Sequence, residues 1–208
     1  MLKSVFTGIF PYLLWKPADI KPDEKLPLLV FLHGAGECGT DPQVICCHSV
    51  PKVFDEPHHY RCVMVAPQCP AGHTWYLHLT DLRDFILNCV SEYNCDPDMV
   101  SLTGISMGGY GTWELAMDFP ELFSAIAPVC GGGVAWRASI LKDMPVWAFH
   151  GDHDDVVLPA RSIEMVDAIT RAGGHPELTL FHNVGHDSWD RAYRNTTCIS
   201  WLISKRKK

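Results

Sequence analysis

Val100-Ser101-Leu102-Thr103-Gly104-Ile105-Ser106-Met107-Gly108-Gly109-Tyr110-Gly111-Thr112-Trp113-Glu114-Leu115-Ala116-Met117 is the stretch that decides how this chain folds. Residues 100–105 form a short apolar run that reads as a strand. Residues 110–117 read as a helix. Ser106 stands between them, two residues from a glycine on either side. A Ser in this spacing at a strand-to-helix turn is the sequence form of a nucleophile elbow. The turn is so tight that positions 104 and 108 have room for almost no side chain. The bare pattern arises by chance in roughly one chain in ten to twenty of this length. It gains weight only from its flanks, and from a histidine and an acid placed where a serine needs them.

Working outward, strands and helices alternate along the 208 residues. Residues 11–16 suggest a short first strand. Residues 26–32 (LPLLVFL) are nearly all apolar, the mark of a strand buried on both faces. A helix is expected within residues 41–56, and a second buried strand at 62–66 (CVMVA). Residues 80–93 have helical spacing, with Leu82, Phe85, Ile86, Cys89 and Val90 on one face. Asp96-Pro97-Asp98 then reads as a turn. Further strands are expected at 123–129, 145–149 (PVWAF) and 177–181. Helices are expected at 159–172, stopped by Gly173-Gly174, and at 189–204. Strands separated by helices imply βαβ units: a mostly parallel sheet with helices on both faces. Residues 1–208 read as one domain, without repeat or linker. No long insertion follows 123–129 where a lid could sit, so an open cleft is expected.

Composition narrows the function classes. The apolar fraction of 47% and charged fraction of 20% are those of a globular protein. A net charge of −7 argues against general nucleic-acid binding. No stretch approaches the length of a membrane span, and no leader pattern is visible, so a cytoplasmic location is expected. The nine cysteines form no CxxC pair and are expected to be reduced. Asn195-Thr196-Thr197 matches a glycosylation acceptor, expected to be chance without export. The basic end, residues 205–208, is expected to be solvated. Oligomeric state is not legible.

A serine is a weak nucleophile until a base takes its proton, and the base needs a third group to orient it. In open parallel sheets such groups lie beyond the carboxyl ends of the strands. His150-Gly151-Asp152-His153-Asp154-Asp155 follows the PVWAF strand and offers three acids. Asp154 lies far enough past the strand to point back at a histidine; Asp152 and Asp155 could instead cap the loop. Among eleven histidines, His186 alone is loop-borne and beyond the final strand, after Gly185. His48, His58, His59 and His175 sit in polar stretches and are expected at the surface. Oxyanion donors are expected from the Met107 amide and from residues 33–37 (HGAGE), with Ala35 preferred over its neighbour Gly36. His33 itself is expected to be structural. The histidines and acids of 150–154 resemble metal ligands, but they share one short loop and a serine-centred site uses them better. No metal and no cofactor is expected.

With these residues in hand, the chain resembles the compact α/β-hydrolases of the predicted peptidase and esterase type. These are related to the dienelactone-hydrolase, phospholipase/carboxylesterase and polyhydroxybutyrate-depolymerase-like groups. The motifs are LVFLHGAGE, APQCP, DPDMVSLTGISMGGYGTWELAMDFPELFSAIAPVCGG, WAFHGDHDDVV and GHDSWD, and they cover residues 26–201. The resemblance implies an α/β-hydrolase fold without a lid domain, Ser106 as nucleophile, Asp154 as acid and His186 as base, in that family's chain order. It implies a serine esterase acting on a small-molecule ester. Dienelactone hydrolases proper use a cysteine where Ser106 stands, so their substrate does not carry over. Trp75 and Tyr76, beyond APQCP, read either as a wall of the acyl pocket or as aromatics packed in the core; with Trp136 and Trp189 they are expected to rim the substrate cleft. Such a cleft suits small or aromatic acyl groups, of the acetyl-sugar or feruloyl type. A small serine peptidase and a non-catalytic ligand-binding module are the alternatives.

Overall fold

A computed structural model describes residues 3–6 and 8–207. Eight strands form one sheet: β1 (Lys3–Val5), β2 (Tyr12–Trp15), β3 (Leu26–Leu32), β4 (Val63–Pro67), β5 (Cys95–Ile105), β6 (Ala125–Val129), β7 (Trp147–Gly151) and β8 (Glu177–Phe181). Their spatial order is β1-β2-β4-β3-β5-β6-β7-β8. From β4 to β8 every neighbouring pair is parallel, while β1 and β2 add an antiparallel edge. Six α-helices accompany them: α1 (Ser49–Asp55), α2 (Leu79–Glu92), α3 (Met107–Asp118), α4 (Ala160–Arg171), α5 (Trp189–Arg194) and α6 (Cys198–Ser204).

The two faces of the sheet bury separate cores, and side-chain parity explains how β3 serves both. Leu28, Val30 and Leu32 enter the layer beneath α2, α3 and α4, with Ile86, Trp113 and Ile169. Leu29 and Phe31 enter the opposite layer with Phe54, Tyr193 and Leu202 from α1, α5 and α6. A strand covered on both faces has no polar side to display, which is why LPLLVFL lacks alternation.

Residues 41–56 contain the expected helix, α1, preceded by a 3₁₀ stretch, Pro42–Cys47. Two elements depart from the sequence reading. Asp96-Pro97-Asp98 does not end the secondary structure. It lies inside β5, where the ladder jumps from Leu26↔Cys95 to Leu28↔Val100 and the extra residues bulge out of register. The expected last helix is two helices. Asn195 closes α5, Thr197 opens α6, and between the helices Thr196 Oγ1 accepts the Cys198 N–H at 3.0 Å. Asn195-Thr196-Thr197 is thus a helix break. Among the described residues no helix is long and apolar enough to cross a membrane.

Candidate active site

The elbow is built where β5 passes into α3. Ser106 has φ 52° and ψ −116°, left-handed backbone that a side chain adopts only under constraint. Its N–H is held by Val129 O at 3.0 Å, and its carbonyl accepts the Tyr110 N–H at 3.0 Å. The glycine requirement is steric. A Cβ on Gly104 would lie 2.4 Å from Gly108 O, and one on Gly108 would lie 2.0 Å from Leu32 O. Met107 opens α3, so its N–H is among the amides a helix leaves without an internal partner.

The loops after β7 and β8 bring the other two groups to Ser106. His186 Nε2 is 2.9 Å from Ser106 Oγ, and His186 Nδ1 is 2.7 Å from Asp154 Oδ2. Asp154 is buried, and its Oδ1 accepts the N–H groups of Val156 and Val157 at 2.9 Å each. These two amides fix one oxygen of the carboxylate, and the other faces the imidazole. Of the competing acids, Asp152 instead bonds His182 Nδ1 at 2.9 Å, which holds its carboxyl below the usual range. Asp155 is exposed. A second histidine also reaches the acid: His150 Nε2 lies 3.1 Å from Asp154 Oδ2.

The 33–37 loop lies against the elbow, since a methyl on Gly34 would come 3.8 Å from Ser106 Cβ. Ala35 begins a 3₁₀ turn, Ala35–Glu37, and both Ala35 and Gly36 are exposed. His33 anchors the loop: it is fully buried, Nε2 accepts the Cys69 N–H at 2.9 Å, and Nδ1–H donates to Gly34 O. Burial lowers its pKa, which keeps this neutral tautomer.

The aromatic expectations divide. Trp75 is fully buried, so it presents no surface to a ligand, and its expected place in the pocket is corrected. Its indole N–H donates to His33 O at 3.0 Å, and its ring meets the His33 ring at 5.0 Å; it braces the loop from beneath. Tyr76 is 46% exposed and Trp136 is 83% exposed. Trp189 is half-buried and stands edge-on to His186, centroids 5.7 Å apart. His48 and His58 are half-buried rather than at the surface, because each packs on rings. His58 lies against Trp15 and Phe54, whereas His48 lies against Trp189 and bonds Glu37 Oε1 at 3.2 Å. The sequence reading missed this Glu37–His48 pair and the second histidine on Asp154. The only signal for the latter was a histidine ending an apolar strand. Among the described residues Glu37, Cys47 and His48 have ligand atoms within 4.8 Å of one another, the nearest thing to a metal-binding group. There Glu37 Oε1 meets His48 Nε2, while the buried Glu37 Oε2 has no hydrogen-bond partner among the described residues.

Strand order, elbow and loop-borne acid and histidine together fix the architecture. The chain is an α/β-hydrolase by fold. Residues 134–205 match the prolyl oligopeptidase family. A thermostable esterase structure superposes with a TM-score of 0.84 at 34% identity, covering 100% of this chain and 63% of that one. A ferulic acid esterase superposes with a TM-score of 0.76 at 17% identity, covering 98% and 96%, a likeness of fold alone. The bifunctional acetylxylan esterase/xylanase of Neocallimastix patriciarum is 27% identical over 149 residues, which span 69% of this chain and 21% of that protein. This α/β-hydrolase chain therefore spans about a fifth of that curated relative.

Proposed function

We propose that the protein is a serine hydrolase of carboxylic esters, working through an acyl-enzyme. The observation that carries this reading is the continuous contact from Ser106 Oγ through His186 to Asp154, 2.9 and 2.7 Å. His186 takes the Ser106 proton as Oγ attacks the ester carbonyl. The Met107 amide and an amide of the 33–37 loop, Ala35 or Gly36, receive the oxyanion. His186 then protonates the leaving alcohol, and the same ring activates water to release the acid. Asp154 stays ionised throughout and stabilises the imidazolium. Ser106→Ala should cut turnover of p-nitrophenyl acetate by about 10⁶-fold, and retained turnover would sink the reading.

For the substrate we propose acetyl or feruloyl esters of sugars. The acetylxylan esterase relative supports this, as does half-buried Trp189, which stands edge-on to His186. A panel from acetyl to octanoyl and feruloyl esters tests it: acetyl and feruloyl should lead, and a preference for octanoyl would refute it. The prolyl oligopeptidase match over 134–205 favours a second reading, a peptidase with the same triad. Faster cleavage of aminoacyl amides than of the matching esters would select it.

A further inference from the structure

β7 ends with His150 and Gly151, and the His150 ring is fully buried. Its Nε2 faces two acceptors, Asp154 Oδ2 at 3.1 Å and Val157 O at 2.8 Å, so that nitrogen carries the proton. Its Nδ1 lies 2.7 Å from Ser162 Oγ on α4, and that oxygen also lies 3.0 Å from Gly131 O. A hydroxyl has one proton to donate. Burial pushes the His150 pKa down, against the pull of Val157 O and Asp154, and the single Ser162 proton faces both Nδ1 and Gly131 O. Contacts therefore run without a break from Ser162 through His150, Asp154 and His186 to Ser106, and the His150 Nε2–H donates toward Asp154.

We infer that His150 is a positioning residue: a second imidazole whose Nε2–H clamps Asp154 and, by sharing Oδ2 with His186, moderates how strongly the acid favours protonation of His186. This rests on the triad reading proposed above. A carboxylate offers about four acceptor sites. In Asp154 two face the Val156 and Val157 amides and two face the imidazoles. Removing one imidazole frees the carboxylate to turn. It also leaves more negative charge facing His186, which stabilises the imidazolium and holds the base protonated to higher pH. The other groups around His186 do not replace the clamp. Ser106 and Trp189 are uncharged, and His48 lies beyond Trp189, paired with Glu37. Asp187 follows in the chain and is exposed. The Cys130 thiol, pushed up to about 12 by burial, is neutral.

The test compares His150→Leu, which has no donor, with His150→Gln, which keeps an N–H near the Nε2 position. With p-nitrophenyl acetate, the Leu variant should lose on the order of 10²-fold in kcat with KM unchanged. The acid limb of its kcat/KM profile should move up by roughly half to one pH unit. The Gln variant should recover most of both. A reduced kcat with an unmoved acid limb would assign His150 a packing role only and overturn the inference. Should the Leu variant not fold, ¹⁵N NMR of the wild-type imidazoles decides. A His150 ring protonated on Nε2 and not titrating between about pH 5.5 and 8 is expected. Protonation on Nδ1, or titration in step with His186, would overturn the clamp. Ester turnover that survives Ser106→Ala would sink the triad reading instead, and the NMR tautomer distinguishes that failure from this one.

Discussion

At the scale of single residues, the site depends on side chains that are missing. Gly108 lets the first turn of α3 lie on the end of β3. A methyl there would sit 2.0 Å from Leu32 O, 2.5 Å from Leu32 C and 2.7 Å from His33 O, all backbone atoms that no rotamer change can move. In the neighbouring loop, a methyl on Gly36 would meet nothing within 4 Å. Gly108→Ala should therefore force β3 and α3 apart, destabilise by about 1–3 kcal/mol or more, and shift the 33–37 amides away from Ser106. Gly36→Ala should leave the melting temperature unchanged. Thermal unfolding of the two variants, with ester turnover alongside, checks the pair. Equal melting temperatures would show that the elbow is looser than its geometry demands. The motif made Gly104 and Gly108 legible in sequence, because its glycines record contacts that only a strand-to-helix turn creates.

Elements were legible where burial left a pattern and illegible where a local hydrogen bond decided. β3, β4 and β7 are buried on both faces, so their apolar runs stand out. The three residues of β1 carry no such run, and their strand exists only by pairing with β2. Nor does apolar spacing reveal that the last helix breaks at residues 195–197, since Cys198, Ile199 and Leu202 continue the stripe begun by Ala192 and Tyr193. Ser106, Asp154 and His186 stand out in the sequence because each follows a strand. Trp75 was misread because an aromatic beyond a strand end looks alike whether it faces a ligand or the core. Its burial turns that reading into a prediction about the loop it supports. Trp75→Ala should cost about 3–5 kcal/mol, from a cavity beneath the 33–37 loop. Trp75→Phe should keep most of the packing and lose only the bond to His33 O. Because Trp75 has no exposed surface, KM for small esters should stay unchanged in the Phe variant. A several-fold rise in KM without loss of stability would return Trp75 to the pocket.

For the whole molecule, the two histidines that brace the site also tie stability to pH. His33 and His150 are fully buried, and burial lowers the pKa of each below the usual histidine value. In the unfolded chain both rings titrate near pH 6.5. As pH falls through that value, the unfolded state binds protons that the native state still refuses. The unfolded state then holds more protons, so stability must fall with falling pH, and the fall ends only below the native pKa values. The contribution is therefore complete above about pH 7 and lost on the acid side, with no counterpart on the alkaline side. Melting temperature measured from pH 8 to pH 5 should stay flat at first and then decline. Replacing His150 by Gln removes one of the two titrating rings, so the decline should become shallower even if the plateau itself drops. Acid sensitivity identical to the wild type would mean that His150 binds its proton equally in both states. A ring charged in the native protein, with Nδ1–H donating to Ser162 and Ser162 donating to Gly131 O, would instead gain protons on folding, and its replacement would steepen the decline.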